Sequence, residues 1–242
     1  MGKTRACLLA LSLASLTVIA GLAAYFTGSD AVTNTFGSTT LQIRVVEPSW
    51  KQDPTIVPEQ RIDKDPYIVN TDKTPAYVFM QVTVPVQEIL LEQNSSDAQK
   101  GTALTDAPQT VPLFRFLDSD AQAPADDPFS REQQINAGWY PMPGYPTENR
   151  NSENETVSLT YLYAWTGSDN PSDDTMAVLY PDQTTGTPLF DQVMLCNARE
   201  DGTFPGSTQH IRIEVFGIQT DYLKSPTESE SSAADVWQHL SA

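Results

Sequence analysis

Apolar and polar residues alternate with a period of two along several short runs of this chain. At residues 41–45, Leu41, Ile43 and Val45 share one face and Gln42 and Arg44 the other. At residues 211–217, Ile211, Ile213, Val215 and Gly217 oppose Arg212, Glu214 and Phe216. A helix cannot place such residues on one side, whereas a strand buried on one face requires it. Similar β-branched and aromatic runs occur at 39–46, 67–70, 76–84, 113–117, 156–165 and 190–196, between clusters of Pro, Asn, Asp, Gly and Ser. The pattern predicts an all-β protein, a jelly-roll or Ig-like β-sandwich.

Other segments interrupt this rhythm. The run 86–91 (VQEILL) reads either as an extension of the third strand or as the start of a short helix. Residues 94–112 and 118–129 read as long loops, and 149–155 and 167–174 as exposed turns. Residues 224–232 (KSPTESESS) read as a flexible linker. The last stretch, 233–240 (AADVWQHL), is rich in helix formers, with Val236, Trp237 and Leu240 on one side. It predicts a short amphipathic helix that needs a surface to dock on. No internal repeat is evident.

The N-terminus carries a different signal. Lys3 and Arg5 precede an almost wholly apolar run from residue 7 to 22, about sixteen residues against the roughly 20 of a bilayer span. A basic start, a short apolar run and small residues after it describe a secretory signal peptide. Cleavage after Ala23 or Ala24 leaves a small residue at the scissile bond; left uncleaved, the run would be an anchor. The chain divides on this reading into a signal peptide (1–23), a leader (24–38), a β-sandwich domain (39–223), and a linker with a terminal helix (224–242). The mature protein is expected to be secreted and free of the membrane.

Composition narrows function. The 242-residue chain has a formal charge of −17, and processing removes two of its few cations. Such a chain repels nucleic acid and anionic membrane surfaces. Cys196 is the one cysteine left after processing, so no internal disulfide forms and stability rests on packing. A secreted domain of that kind suits a Gram-positive bacterial surface.

Catalytic signatures are sparse. The two histidines, His210 and His239, belong to no zinc motif, and no serine signature is present. Cys196 lies in a strand-like run (VMLCNA), which favours a core role. The acidic groups Asp118/Asp120/Asp126/Asp127 and Asp169/Asp173/Asp174 lack the glycine-centred loop and distal Glu of an EF-hand, so solvated loops are the better account. The residues predict no enzyme and no cofactor.

Three stretches carry a resemblance: residues 23–36 (AAYFTGSDAVTNTF) with 41–50 (LQIRVVEPSW), residues 62–85 (IDKDPYIVNTDKTPAYVFMQVTVP), and the tail with GIQTD and AADVWQHL. Together they resemble the secreted TasA/camelysin-like family, whose signal peptides are cut by a SipW-type signal peptidase. Gly28 stands where that family commonly has Asp. The middle of the chain matches only loosely, through AGWYPM (137–142) and YLYAW. The resemblance implies a jelly-roll-like sandwich and a structural protein of an extracellular biofilm matrix, self-associating or joining related matrix subunits. Camelysin is described as a surface metalloprotease; this sequence carries no zinc signature, and no catalytic residue transfers.

The leader fits the structural reading. Tyr25, Phe26, Val32, Thr33, Thr35 and Phe36 are β-prone. A free strand of this length is unstable alone, so it either folds back or adds to an open sheet edge of another subunit. Two further readings stay open. An adhesion or binding module would need an exposed aromatic platform, with Trp139/Tyr140 or Tyr161/Tyr163/Trp165 as candidates. A hydrolase would need convergent titratable groups in a cleft.

Overall fold

The computed structural model describes residues 24–25, 41–51, 55–92, 103–120, 129–198, 209–223 and 231–241. In chain order the strands are β1 (Ala24–Tyr25), β2 (Ile43–Val46), β3 (Thr55–Ile56), β4 (Arg61–Asp63), β5 (Tyr67–Asn70), β6 (Ala76–Ile89) and β7 (Gln109–Pro112). Then follow β8 (Phe114–Leu117), β9 (Trp139–Pro141), β10 (Thr147–Arg150), β11 (Thr156–Trp165), β12 (Gln192–Leu195) and β13 (Arg212–Gln219). A 3₁₀ turn (Thr220–Leu223) and one helix, α1 (Ala233–Ser241), close the chain.

The larger sheet runs β10-β11-β6-β13, with β7 on the far end of β6 and β9 on the far end of β11. Every pairing is antiparallel. A three-stranded sheet (β4-β12-β8) and a two-stranded one (β2-β5) form the facing layer, while β1 pairs with β3. The fold is an all-β sandwich with one short C-terminal helix.

The pleat of β6 explains the core. Ala76, Val78, Met80, Val82 and Val84 are fully buried on its inner face. Leu159, Tyr161 and Tyr163 from β11 and Ile213 and Val215 from β13 join them in one cluster. The facing layer contributes Ile43, Ile68, Phe114, Phe116, Val193 and Leu195. Phe116 joins the two layers: its ring lies 6.0 Å from Tyr161 and stacks on Phe190 at 4.2 Å. Gly217 falls on the inner face, as the alternation requires. A Cβ there would lie 2.8 Å from Leu41 Cδ2 and 2.9 Å from Ile43 Cδ1, so its bareness lets the residues of and before β2 close over β13.

The outer face of the large sheet is divided. One half is polar: Gln81 donates to Glu214 at 3.2 Å, and the Thr83 and Thr160 hydroxyls meet at 3.2 Å. The other half is apolar, with Phe79, Leu162 and Ala164 from adjacent strands. Helix α1 covers it with Ala233, Val236 and Leu240. The Trp237 ring sits 5.1 Å from Phe79 and 5.5 Å from Phe216. Ser232 caps the helix, its hydroxyl accepting from the Asp235 amide at 3.3 Å. This is the docking surface that the amphipathic tail requires.

Several boundaries differ from the sequence reading. Residues 86–89 extend β6 instead of starting a helix. Part of the stretch read as a loop, 109–112, forms β7 against the end of β6. The turn read at 149–155 begins two residues later, because β10 runs to Arg150. Strands such as β10 (TENR) and β4 (RID) are short edge strands largely open to solvent, so they show no hydrophobic alternation.

Removing the Trp237 ring tests the docking. Trp237→Ala should lower unfolding free energy by about 1–3 kcal/mol, less than for a fully buried ring. Urea denaturation measures it, and an unchanged midpoint would mean that α1 adds nothing to the folded sheet.

Candidate functional site

Strand β11 changes partners along one edge. Its residues 156–160 pair with β10, and residues 163–165 pair with β9. Between them Leu162 accepts one bond, from the Met142 amide at 2.9 Å. A cleft of about 650 Å³ opens at this change of partner.

The segment before β9 forms one wall and is pegged by side-chain amides. Gln133 Oε1 accepts from the Phe116 amide at 2.9 Å, and its Nε2 donates to Phe114 O and to the Tyr161 hydroxyl, each at 3.3 Å. Asn136, 4% exposed, accepts from the Ser119 amide at 2.8 Å and donates to Pro188 O at 3.1 Å and Asp191 Oδ2 at 2.7 Å. These bonds let an irregular segment lie against the sandwich without leaving buried polar groups unpaired.

Gly138 then turns the chain into β9 with φ of +93°. A Cβ there would lie 2.6 Å from Trp165 Cζ3, so conformation and space both demand glycine. The Trp139 indole donates to Thr187 O at 3.2 Å and meets the Trp165 ring edge-on at 5.3 Å. Tyr161 and Tyr163 stand in parallel, their centroids 6.3 Å apart. The Tyr161 hydroxyl donates to Arg131 O at 2.7 Å. Burial raises the pKa of both phenols, that of Tyr163 well above its ordinary value, so both remain protonated. Tyr145 and Pro146 face this wall, and Glu132 and Asp169 also line the cleft.

An ion clip holds the wall to β10. Arg131 Nη1 donates to Glu148 Oε1 at 2.6 Å, and Arg150 and the Thr156 hydroxyl donate to Oε2. These bonds, Arg131's foremost, lower the Glu148 carboxyl from 4.5 to about 2.

The aromatic candidates separate here. Trp139, Tyr161 and Tyr163 line the cleft, and Trp165 packs behind. Tyr140 alternates to the opposite face and packs with the cluster under α1. Gln133, Asn136, Tyr145 and Glu132 carry no signal in the sequence, and Asp169 stands there only as one of an acidic group; no spacing marks residues gathered from separate loops.

The remaining candidates stay dispersed. Cys196 is buried, and desolvation pushes its thiol up to about 12, which fits a core residue. His210 precedes β13, and His239 is on the exposed side of α1. Asp173 caps a turn through the Thr175 amide at 3.0 Å. Asp126 and Asp127 lie outside the described residues. Among the described residues no three His, Cys, Asp or Glu side chains gather to hold a metal ion. Among them, also, no helix is long and apolar enough to cross a membrane. Ala24 and Tyr25 form β1, paired with Ile56 and Thr55. Ala23, Phe26, Val32, Thr33, Thr35 and Phe36 lie outside the described residues.

The KDP stretch has a structural role. Lys64 Nζ lies 2.6 Å from Glu47 Oε1, with the side chains 1% and 5% exposed, and 4.3 Å from the Trp50 ring. Asp65 accepts from the Ser49 amide at 2.8 Å. These contacts tie the chain after β2 to the connection between β4 and β5. The neighbouring NTDKT turn is held by Asn70, whose Nδ2 donates to Thr74 O and Leu179 O, each at 2.9 Å. Asp72 caps that turn. Desolvation pushes its carboxyl up, but bonds from the Thr74 hydroxyl and the Gln42, Lys73 and Thr74 amides prevail and hold it below its ordinary value.

No protein-family model, curated protein or solved structure matches this chain.

Two outcomes follow from these contacts. Lys64→Ala should destabilise the fold by about 3–5 kcal/mol, because the nearly buried Glu47 carboxylate loses its ion-pair partner. Lys64→Met combined with Glu47→Leu should recover most of that loss in chemical denaturation. Glu148 titrates below its ordinary 4.5, so its contribution is complete above that pH and is lost as pH falls toward 2. Glu148→Gln should flatten the thermal-stability profile over that interval; an unchanged profile would show that the clip carries no stability.

Proposed function

We propose that this chain is a secreted, non-catalytic structural subunit of a bacterial surface or biofilm matrix, joined to its neighbours by N-terminal strand addition. The observation that carries this reading is the pairing of Ala24 and Tyr25 with Ile56 and Thr55. The residues beside the expected cleavage point thus take up a strand pairing outside the main ladders. Two residues give little stability of their own, so the same pairing is open to the leader of another copy. Such an exchange is heterologous and propagates as an open filament. The sandwich fold and the resemblance to TasA/camelysin-like proteins support the same reading. On this reading a SipW-type peptidase frees the leader, and related matrix subunits are the partners.

The test compares the mature chain with one beginning at Gly37. Burial of Tyr25, Phe26 and Phe36 on assembly contributes on the order of several kcal/mol. The shortened chain should fold, melt lower and form no filaments in electron micrographs, and a peptide of residues 24–36 should restore its stability. If it polymerises and melts like its parent, the leader is only a spacer.

A further inference from the structure

The cleft beside β11 plays no part in strand addition, and its contents point to a ligand. Its volume, about 650 Å³, falls within the roughly 300–1,000 Å³ of small-molecule sites. Most polar atoms in its pegged wall are committed: both ends of Gln133 and Asn136, the Trp139 indole and the Tyr161 hydroxyl all have protein partners. Tyr163 differs. It lines the cleft at 3% exposure, and its hydroxyl has no hydrogen-bond partner among the described residues. The hydroxyl reaches the open space of the cleft, so its proton is free to be donated to a ligand acceptor. Tyr145, half-buried and packed in part against the cluster under α1, also lines the cleft and offers a second hydroxyl.

Charge and shape narrow the ligand class. Glu132 and Asp169 line the cleft, and among the described residues no Lys or Arg does, so phosphate and carboxylate ligands are repelled. The carboxylates accept hydrogen bonds, the phenols donate them, and Trp139 and Ile135 supply apolar wall. A polyproline segment has acceptors but no N–H donors for the carboxylates. A lysine side chain has donors but no acceptor for the phenols. Sugar hydroxyls are both donor and acceptor, and sugar rings present C–H faces to apolar walls.

We infer that this cleft binds a short, uncharged saccharide segment, with Tyr163 and Tyr145 donating to sugar oxygens and Glu132 and Asp169 accepting from sugar hydroxyls. The inference is independent of filament formation.

The experiment titrates the purified mature protein with cellotriose, maltotriose and chitotriose, followed by calorimetry and tryptophan fluorescence. Tri-lysine and a proline decapeptide are the rival probes. At least one saccharide should bind at concentrations up to about 10 mM, where the free energy sought is only a few kcal/mol. Tyr163→Phe removes one hydroxyl and should weaken binding about 5–10-fold, the worth of one hydrogen bond. Glu132→Gln with Asp169→Asn, both on exposed residues, should weaken it by a similar factor and keeps the test decisive if Tyr163→Phe unfolds. Absence of saccharide binding, preference for either rival probe, or affinity unchanged in the variants that fold would overturn the proposal. The chain beginning at Gly37 should bind the saccharide as its parent does, so failure of the filament reading and failure of this one are separately visible.

Discussion

Strand β6 makes demands on both of its faces and both of its edges, and most of the architecture meets them. Its fourteen residues pair with β11 on one side and with β13 and β7 on the other. Its inner face needs a facing layer, which the β4-β12-β8 and β2-β5 sheets supply. Its outer face carries Phe79, fully buried although it points away from the sandwich core. A strand apolar on both faces is unstable unless both are covered. Covering Phe79 is the work of α1, which brings Trp237 and Val236 onto the apolar half of that face.

The places where ladders stop are held by polar side chains. Asn70 and Asp72 close the turn before β6, Asn136 and Gln133 hold the segment before β9, and Lys64 with Glu47 ties the chain after β2 to the one before β5. In each case an amide or charge takes up backbone groups or a partner that a regular strand would leave to its neighbours. The same economy of partners makes the Tyr163 hydroxyl stand out. It lies among groups whose hydrogen bonds are spent, at the first residue of β11 that pairs with β9.

Stability draws on the packed layers of the chain. Without a disulfide, the sandwich rests on its apolar layers and a few buried polar anchors. The two residues of β1 pair with β3 and stand outside those layers.

Period-two alternation in the sequence by itself determined the strand character and the faces of β2 and β13, down to Gly217 inward and Phe216 outward, and β-branched and aromatic runs marked β5, β6 and β11 as strands. The apolar side of the tail likewise determined which residues of α1 dock. Such patterns report burial, and burial of regular elements repeats with the backbone period. Only the tertiary structure decided which strands pair, that β10 and β7 are strands at all, and what covers Phe79. Short polar edge strands have no buried face to write into the sequence. The cleft was equally invisible: Tyr161, Tyr163 and Trp165 share one face of β11 in the sequence, but which of them border open space depends on where β9 ends and β10 begins, and that is set by partners distant along the chain.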